Sequence, residues 1–248
     1  MMNQFEIDIN CDVGEGVGNE ADIFPFISSC NIACGGHAGD KKTMMKIASL
    51  AKQHNIKVGS HPSYPDKANF GREVMDISHQ DLIQSIKQQL SDFDAILERE
   101  DIPLHHIKAH GALYNQTAKD EKLAKVYLDA IEEYKEKAML YVPFGSVIAR
   151  MAKERGFRIW FEAFADRNYN ADLSLVSRKE ENALIEEPVA VSKHILPIIK
   201  KGEVMTIDGN KINIQADTLC IHGDTVSALK ILTYLSRALP QNQVQLAK

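Results

Sequence analysis

The sequence predicts an α/β fold in which parallel strands are joined by helices, wound as an open sheet or as a closed barrel. Three observations carry this reading. Short apolar β-type runs alternate with amphipathic helical runs along the chain. Nearly every β-type run ends in polar, ionisable residues. No Pro/Gly/Ser-rich linker or short repeat breaks the rhythm, so residues 1–248 read as a single domain.

The expected strands are 5–12, 29–35, 57–62, 106–111, 139–144, 158–166 and 218–224. Between them, 40–54 carries Met44, Ile47, Ala48 and Ala51 on one helical face. In 78–99, Ser78 can cap with Asp81 three residues on, ahead of the face Leu82, Ile86, Leu90, Phe93 and Leu97. The spacing predicts further helices over 120–136 and over 146–155, the latter stopped by Gly156. Pro188 can open the next helix and Gly202 close it, with Pro197 expected to kink or divide it. Asp224 can cap the last helix, whose face is Val226, Leu229, Leu232 and Leu235. Segment 203–215 breaks the alternation: Asp208-Gly209 between two β-type runs predicts a small hairpin excursion.

Composition excludes some classes of function. A net charge of −5 argues against a nucleic-acid partner, which would want a basic face. The opening MMNQFEIDIN has neither a basic nor an apolar signal region, and no run approaches the ~20 apolar residues of a membrane helix. Cys11, Cys30, Cys34 and Cys220 form no C-x-x-C pair and read as small buried residues of a reducing cytoplasm. A cytoplasmic protein with no membrane partner is expected.

The strand ends hold the chemistry. The first run ends in Asn10 and Asp12 with Glu15 beyond. The second leads to His37 and Asp40, the third to His61, and the fourth to Lys108 and His110. The sixth ends in Glu162, Asp166 and Arg167, and the seventh in His222 and Asp224. Alternation puts Asp8, Asn10 and Asp12 on one face, which in a barrel is the inner face, with Asp12 at the mouth. Barrel strand ends converge on the face that carries the active site. Asp and His suit acid–base catalysis near neutral pH. Alternatively, Asp12, His37 and His61 could hold a divalent metal that activates water, though no H-E-x-x-H pattern is present. Lys108 could face a developing oxyanion, and Arg167 and Arg178 could bind a small acid.

The runs DINCDVGEG (8–16), CNIACGGHAGD (30–40), SHPSYPD (60–66), FGR (70–72), KAHGALYN (108–115), FADRNY (164–169) and CIHGD (220–224) together resemble the LamB/YcsF family. The resemblance runs from the first strand to the last helix. It implies a seven-stranded parallel β/α barrel, TIM-like and related to sugar deacetylases. It implies the ATP-dependent hydrolysis of 5-oxoproline, a small lactam, to L-glutamate, as the A component of a bacterial 5-oxoprolinase with subunits B and C. ATP, with Mg²⁺, is then the cofactor consumed by the complex. On this resemblance the expected catalytic residues are Asp12, His61, Lys108, His110, Asp166 and His222. The expected substrate-binding residues are Asn10, Glu15, His37, Arg72, Arg167 and Asp224. The chain departs from the usual family pattern at Gly36, Ser63, Ala109 and Asp172-Leu173, which bears on the pocket wall more than on the chemistry. It has no P-loop, so nucleotide binding falls to another surface or another component of the complex. Two rival readings are a metal-dependent deacetylase of N-acetyl sugars and a non-catalytic lactam-binding subunit.

Overall fold

The computed structural model describes residues 4–223 and 227–247. From the N-terminus, β1 (Phe5–Val13) leads through α1 (Glu20–Ile23) and a 3₁₀ turn to β2 (Ser29–Ala33). There follow α2 (Lys41–Gln53), β3 (Lys57–His61), α3 (His79–Glu100), β4 (Leu104–Ile107), α4 (Gly111–Thr117), α5 (Glu121–Ala130), β5 (Met139–Pro143), α6 (Val147–Glu154), β6 (Ile159–Phe164) and α7 (Pro188–Lys201). Next come an antiparallel hairpin of β7 (Glu203–Met205) and β8 (Lys211–Asn213), then β9 (Thr218–Cys220), α8 (Ala228–Gln241) and β10 (Val244–Leu246). Strands β1 to β6 pair in sequence, and β9 pairs with both β6 and β1. The parallel sheet thus closes into a seven-stranded barrel. Among the described residues no helix is long and apolar enough to cross a membrane.

Local signals explain most boundaries. Ser78 accepts the Asp81 N–H at 3.1 Å and opens α3. The Asp81 carboxylate accepts the Ser78 hydroxyl at 2.6 Å, a variant of the expected capping box. Pro188 and Gly202 bound α7 as expected. Pro197 does not divide it, because it replaces one backbone donor while the helix keeps its apolar face, Val191, Ile195 and Ile198, packed. The expected helix over 120–136 ends at Ala130 and gives way to a 3₁₀ turn over Glu132–Tyr134. The expected fourth strand, 106–111, sits earlier. Beyond Ile107 the backbone stays tied to β3, with Lys108 N–H donating to Ser60 and His110 N–H to Pro62. The capping assignment of Asp224 and the face position Val226 lie outside the described residues. The edge strand β10, at the foot of β1, is too short to show periodicity.

Alternation on β1 divides the molecule. Ile7, Ile9, Cys11 and Val13 face the helices and join the apolar layer. Asp8, Asn10 and Asp12 face the barrel axis, where they bond across it. All four cysteines are buried and free. The interior is therefore polar, and it is hydrogen-bonded, as a polar interior must be. At the foot, Asp8 accepts the hydroxyls of Ser29 and Thr218, each at 2.7 Å. Above it, Asn31 donates to Asn10 Oδ1 and Asp12 Oδ1, both at 2.7 Å, and lies 2.6 Å from His106 Nε2. His106 stacks on Tyr141 at 4.0 Å between ring centres.

Gly59 on β3 makes room for that ring, since a Cβ there would stand 2.1 Å from His106 Nε2. We expect Gly59→Ala to push His106 off Asn31 and to cost about 1–3 kcal/mol as overpacking. The urea midpoint measures this, and an unchanged midpoint would mean the ring can move aside freely.

Candidate active site

At the C-terminal end of the barrel the strand ends surround a cavity of ≈ 640 Å³. Its floor and inner walls include Asp12, Glu15, His61, Lys108, Glu162 and His222. Two groups of side chains meet there.

The first is built around an ammonium group. Lys108 is 2% exposed. Its Nζ lies 2.9 Å from Asp12 Oδ1, 2.9 Å from Glu162 Oε1, 3.1 Å from Cys220 Sγ and 3.3 Å from Asn10 Oδ1. Burial pushes the Asp12 carboxyl up, but His61 and Lys108 pull harder and hold it well below the usual carboxylate range. Burial likewise disfavours the Lys108 cation, yet Asp12, Cys220 and Glu162 raise it well above an ordinary lysine. Asp12, Cys220 and His222 are close enough together to resemble a metal-ligand set. The Lys108 ammonium already supplies the cation there, and burial keeps Cys220 a thiol.

The second group is Glu15, His37, His61 and His110. His61 Nδ1–H donates to the Lys108 carbonyl at 2.8 Å, and His110 Nε2–H donates to the Phe70 carbonyl at 2.9 Å. These bonds turn the other two ring nitrogens, His61 Nε2 and His110 Nδ1, towards each other at 3.0 Å. Glu15 Oε1 lies 3.4 Å from His110 Nδ1, 2.9 Å from His37 Nε2 and 4.0 Å from His61 Nε2. Burial drives His110 well below the ordinary imidazole value and lowers His37. With both rings neutral, lone pairs and a carboxylate converge on one point; it is a proton on His61 Nε2 that lets this ring pull the Asp12 carboxyl down. Carbonyl acceptors fix the imidazole tautomers, the arrangement found behind metal-binding histidines. His37 stacks flat on His110 at 3.6 Å.

A third element is a dyad. Asp166 accepts the backbone N–H of His222 and its Nδ1–H, each at 3.0 Å. That fixes the ring on the cavity wall. Burial raises the Asp166 carboxyl, but His222 and Arg167 bring it below its ordinary value.

Comparison with known proteins agrees with the motifs, since residues 7–248 match the LamB/YcsF family. The chain belongs to that family. It is 37% identical over 241 residues to a protein of Haemophilus influenzae (strain PittEE) named as the A component of 5-oxoprolinase, covering 97% of this chain and 98% of that one. It superposes on the crystal structure of the lactam utilization protein of Thermus thermophilus with a TM-score of 0.90 and 33% identity, covering 97% and 98% of the two chains. A T48 deacetylase with substrate superposes with a TM-score of 0.50 at 12% identity, over 98% of this chain and 88% of that one, and shows a shared fold alone.

The residues expected from the LamB/YcsF motifs take different places. Asp12, His61, Lys108, His110, Asp166, His222, Glu15 and His37 lie together at the mouth, as described. Asn10 is beneath them: fully buried, it donates to Glu162 and Thr218 and accepts from Asn31, so it orients Glu162 instead of touching a ligand. Arg167 lines the cavity, and two of its donors hold the loop after β6, to the Ala183 carbonyl at 3.3 Å and the Val176 carbonyl at 2.5 Å. Burial and the neighbouring Arg178 lower its pKa to about 10. Arg72 lies over Phe70 on the cavity rim, 4.8 Å from the ring centre. Asp224 is outside the described residues. Asp40 is a helix cap for α2, accepting from Thr43 N–H. Asn31, His106, Tyr114 and Glu162 also shape the site, and the motifs alone assign them no role. Period-two spacing from His106 through Lys108 to His110 is the one sequence signal for the second of these.

Two outcomes are expected. Lys108→Met leaves Asp12 and Glu162 as buried, uncompensated carboxylates and should cost about 3–5 kcal/mol of stability in urea unfolding. Stability should also fall as pH drops from about 7 to 5. Burial lowers His37, His106 and His110 in the folded chain, so below about pH 6.5 the unfolded chain binds protons that the folded chain does not. Stability therefore rises with pH across that window, by up to about 1.4 kcal/mol per pH unit for each such histidine. Asp12 is depressed, so its contribution is lost only below about pH 4; Lys108 is raised, so its contribution is lost only above about pH 10. Thermal melts across pH 5–8 check the sign, which is the reverse of that expected if these histidines gained protons on folding.

Proposed function

We propose that this chain binds 5-oxoproline at the mouth of the barrel and catalyses the hydrolysis of its ring amide to L-glutamate, as the A component of an ATP-consuming 5-oxoprolinase with subunits B and C. The observation that carries the reading is the pairing of a charged Asp12 with His61, 3.4 Å apart, on the wall of a cavity with room for a small acid. The names of the Haemophilus and Thermus relatives support the substrate class. Lys119, Arg178 and Lys179 are exposed on the cavity rim and supply a cationic approach for an anionic substrate.

Glu15, His61 and His110 are the residues that would hold a divalent metal, and their nitrogen and oxygen donors with fixed tautomers fit one. Such an ion supplies Lewis-acid polarisation of a carbonyl and a nucleophile near neutral pH. The protein's own groups do the rest. Asp12, held ionised by the Lys108 ammonium beside it, takes a proton from the attacking water. The water oxygen bonds to the ring carbonyl carbon, and Lys108 faces the developing negative charge. The carbon–nitrogen bond then breaks. His222, steadied by Asp166, delivers the proton that the ring nitrogen needs to leave as the glutamate amine. ATP, with Mg²⁺, drives the ring opening through a shared intermediate. Its γ-phosphoryl group passes to the ring carbonyl oxygen as ADP leaves. Water attack and carbon–nitrogen cleavage then give a glutamyl phosphate, and a second water releases glutamate and phosphate.

Glutamate release from 5-oxoproline and ATP tests this, using the chain assembled with subunits B and C. Asp12→Asn and His61→Gln should each lower kcat by about 10²–10⁴-fold while the chain stays folded. Full turnover by both folded variants would overturn the catalytic assignment.

A further inference from the structure

Among the described residues, two buried polar atoms on the cavity wall make no hydrogen bond of full geometry: the Tyr114 hydroxyl and Glu162 Oε2. Tyr114 is 6% exposed and Glu162 2%. Neither is explained by the steps above, and buried polar groups are rarely left unsatisfied.

Both are rigidly aimed. Glu162 Oε1 is taken by Asn10 Nδ2 at 2.9 Å and by the Lys108 ammonium at 2.9 Å, which leaves Oε2 as the oxygen available to the cavity that Glu162 lines. Tyr114 sits in α4, which starts at Gly111 with φ +55°. A Cβ at Gly111 would stand 2.5 Å from the Gly71 carbonyl oxygen, so the helix start is pressed against that loop. The Tyr114 ring packs edge-on against Phe164, 5.8 Å between centres. Burial, then the nearby Glu162, pushes its phenol well above the ordinary value, so it is a hydrogen-bond donor. Glu162 also acts on the phenol as a hydrogen-bond acceptor, but at the limit of reach: the two atoms do not close a bond of full geometry, so a ligand can take both.

A donor and an acceptor side by side match one edge of an amide only if its N–H and C=O point the same way. A small ring forces that cis arrangement, whereas an open-chain secondary amide is trans and presents the two groups on opposite sides. We propose that Glu162 and Tyr114 read the cis-amide edge of a cyclic substrate, Glu162 Oε2 accepting the ring N–H and the Tyr114 hydroxyl donating to the ring carbonyl. The pair would thereby select lactams and related cyclic amides and reject open-chain N-acetyl compounds. This inference rests on the lactam reading above and names its specificity determinants.

The test is calorimetric binding to the full chain of 5-oxoproline, N-methyl-5-oxoproline and N-acetylalanine. The wild type should bind 5-oxoproline at least about tenfold more tightly than either analogue, about 1.4 kcal/mol. Tyr114→Phe removes a hydroxyl whose one contact among the described residues, to Glu162, falls short of bonding geometry. It should weaken 5-oxoproline binding by about tenfold, with the melting temperature unchanged or higher. Equal wild-type binding of 5-oxoproline and its N-methyl form, or undiminished binding by a folded Tyr114→Phe chain, overturns the inference and leaves the lactam reading standing. Should Tyr114→Phe not fold, the N-methyl comparison in the wild type decides alone. Wild-type binding of N-acetylalanine alone, or of none of the three, overturns the lactam reading and this inference together.

Discussion

The geometry of the mouth depends on one buried cation. The Lys108 ammonium reaches Asp12 on β1, Glu162 on β6 and Cys220 on β9, so it ties three strands of the barrel together at the level of the site. Taking three charges out of water is costly, and a buried ion pair is often no more stable than an apolar filling of the same volume. Stability is therefore a poor reason for this arrangement. What it provides is two carboxylates kept at a set separation, both directed by the same positive centre. Removing the lysine would leave them repelling each other in a medium that cannot screen them.

Below this level the hydrogen bonds leave little freedom. Asn31 gives both amide hydrogens to β1, to Asn10 and Asp12, so its carbonyl oxygen must accept from His106 Nε2. His106 Nδ1 is then an acceptor, and the neighbouring His105, 3.0 Å away, must be the donor. Asn10 in turn gives its hydrogens to Glu162 and Thr218, and Thr218 gives its own to Asp8. A single set of donor directions satisfies the axis, from the foot of the barrel to Asp12. A site preorganised in this way does not have to reorient its dipoles when charge develops. The same reasoning explains why polar residues fill positions that barrels more often fill with Val, Ile and Leu.

The barrel was legible because its signals are local. Apolar runs of the right length, caps such as Ser78 and stops such as Gly202 lie within a few residues of what they determine. The gathering of Asp12, His61, His110 and His222 was legible for a topological reason: strand ends of a barrel share a face. The division of labour among them was not. Asn10 and Asp12 look alike in sequence, two residues apart on one face, yet one is submerged and the other reaches the mouth. Arg167 looks like a ligand for an acid, and it does line the cavity, but two of its donors also hold the carbonyls of a loop whose path no short-range pattern encodes. Tyr114 reads as an ordinary helical core residue; only the packing of α4 against the loop at Gly71 turns its hydroxyl to the cavity.

The two halves of the mouth have opposite electrostatic needs. On the Asp12–Glu162 side, anionic oxygens meet a cation that the chain itself supplies. On the Glu15–His110 side, lone pairs meet one another, since both imidazole hydrogens are committed to backbone carbonyls. His61 stands on the border, its Nδ1 bound to the Lys108 carbonyl and its Nε2 facing His110 and Asp12. One half is thus permanently compensated, and the other is completed only by something that arrives, a proton or a metal ion. Because His61 faces both, whatever occupies the second half also acts on the carboxylate that Lys108 keeps ionised. The charge on Asp12 and occupancy of the histidine cluster are coupled through that one ring.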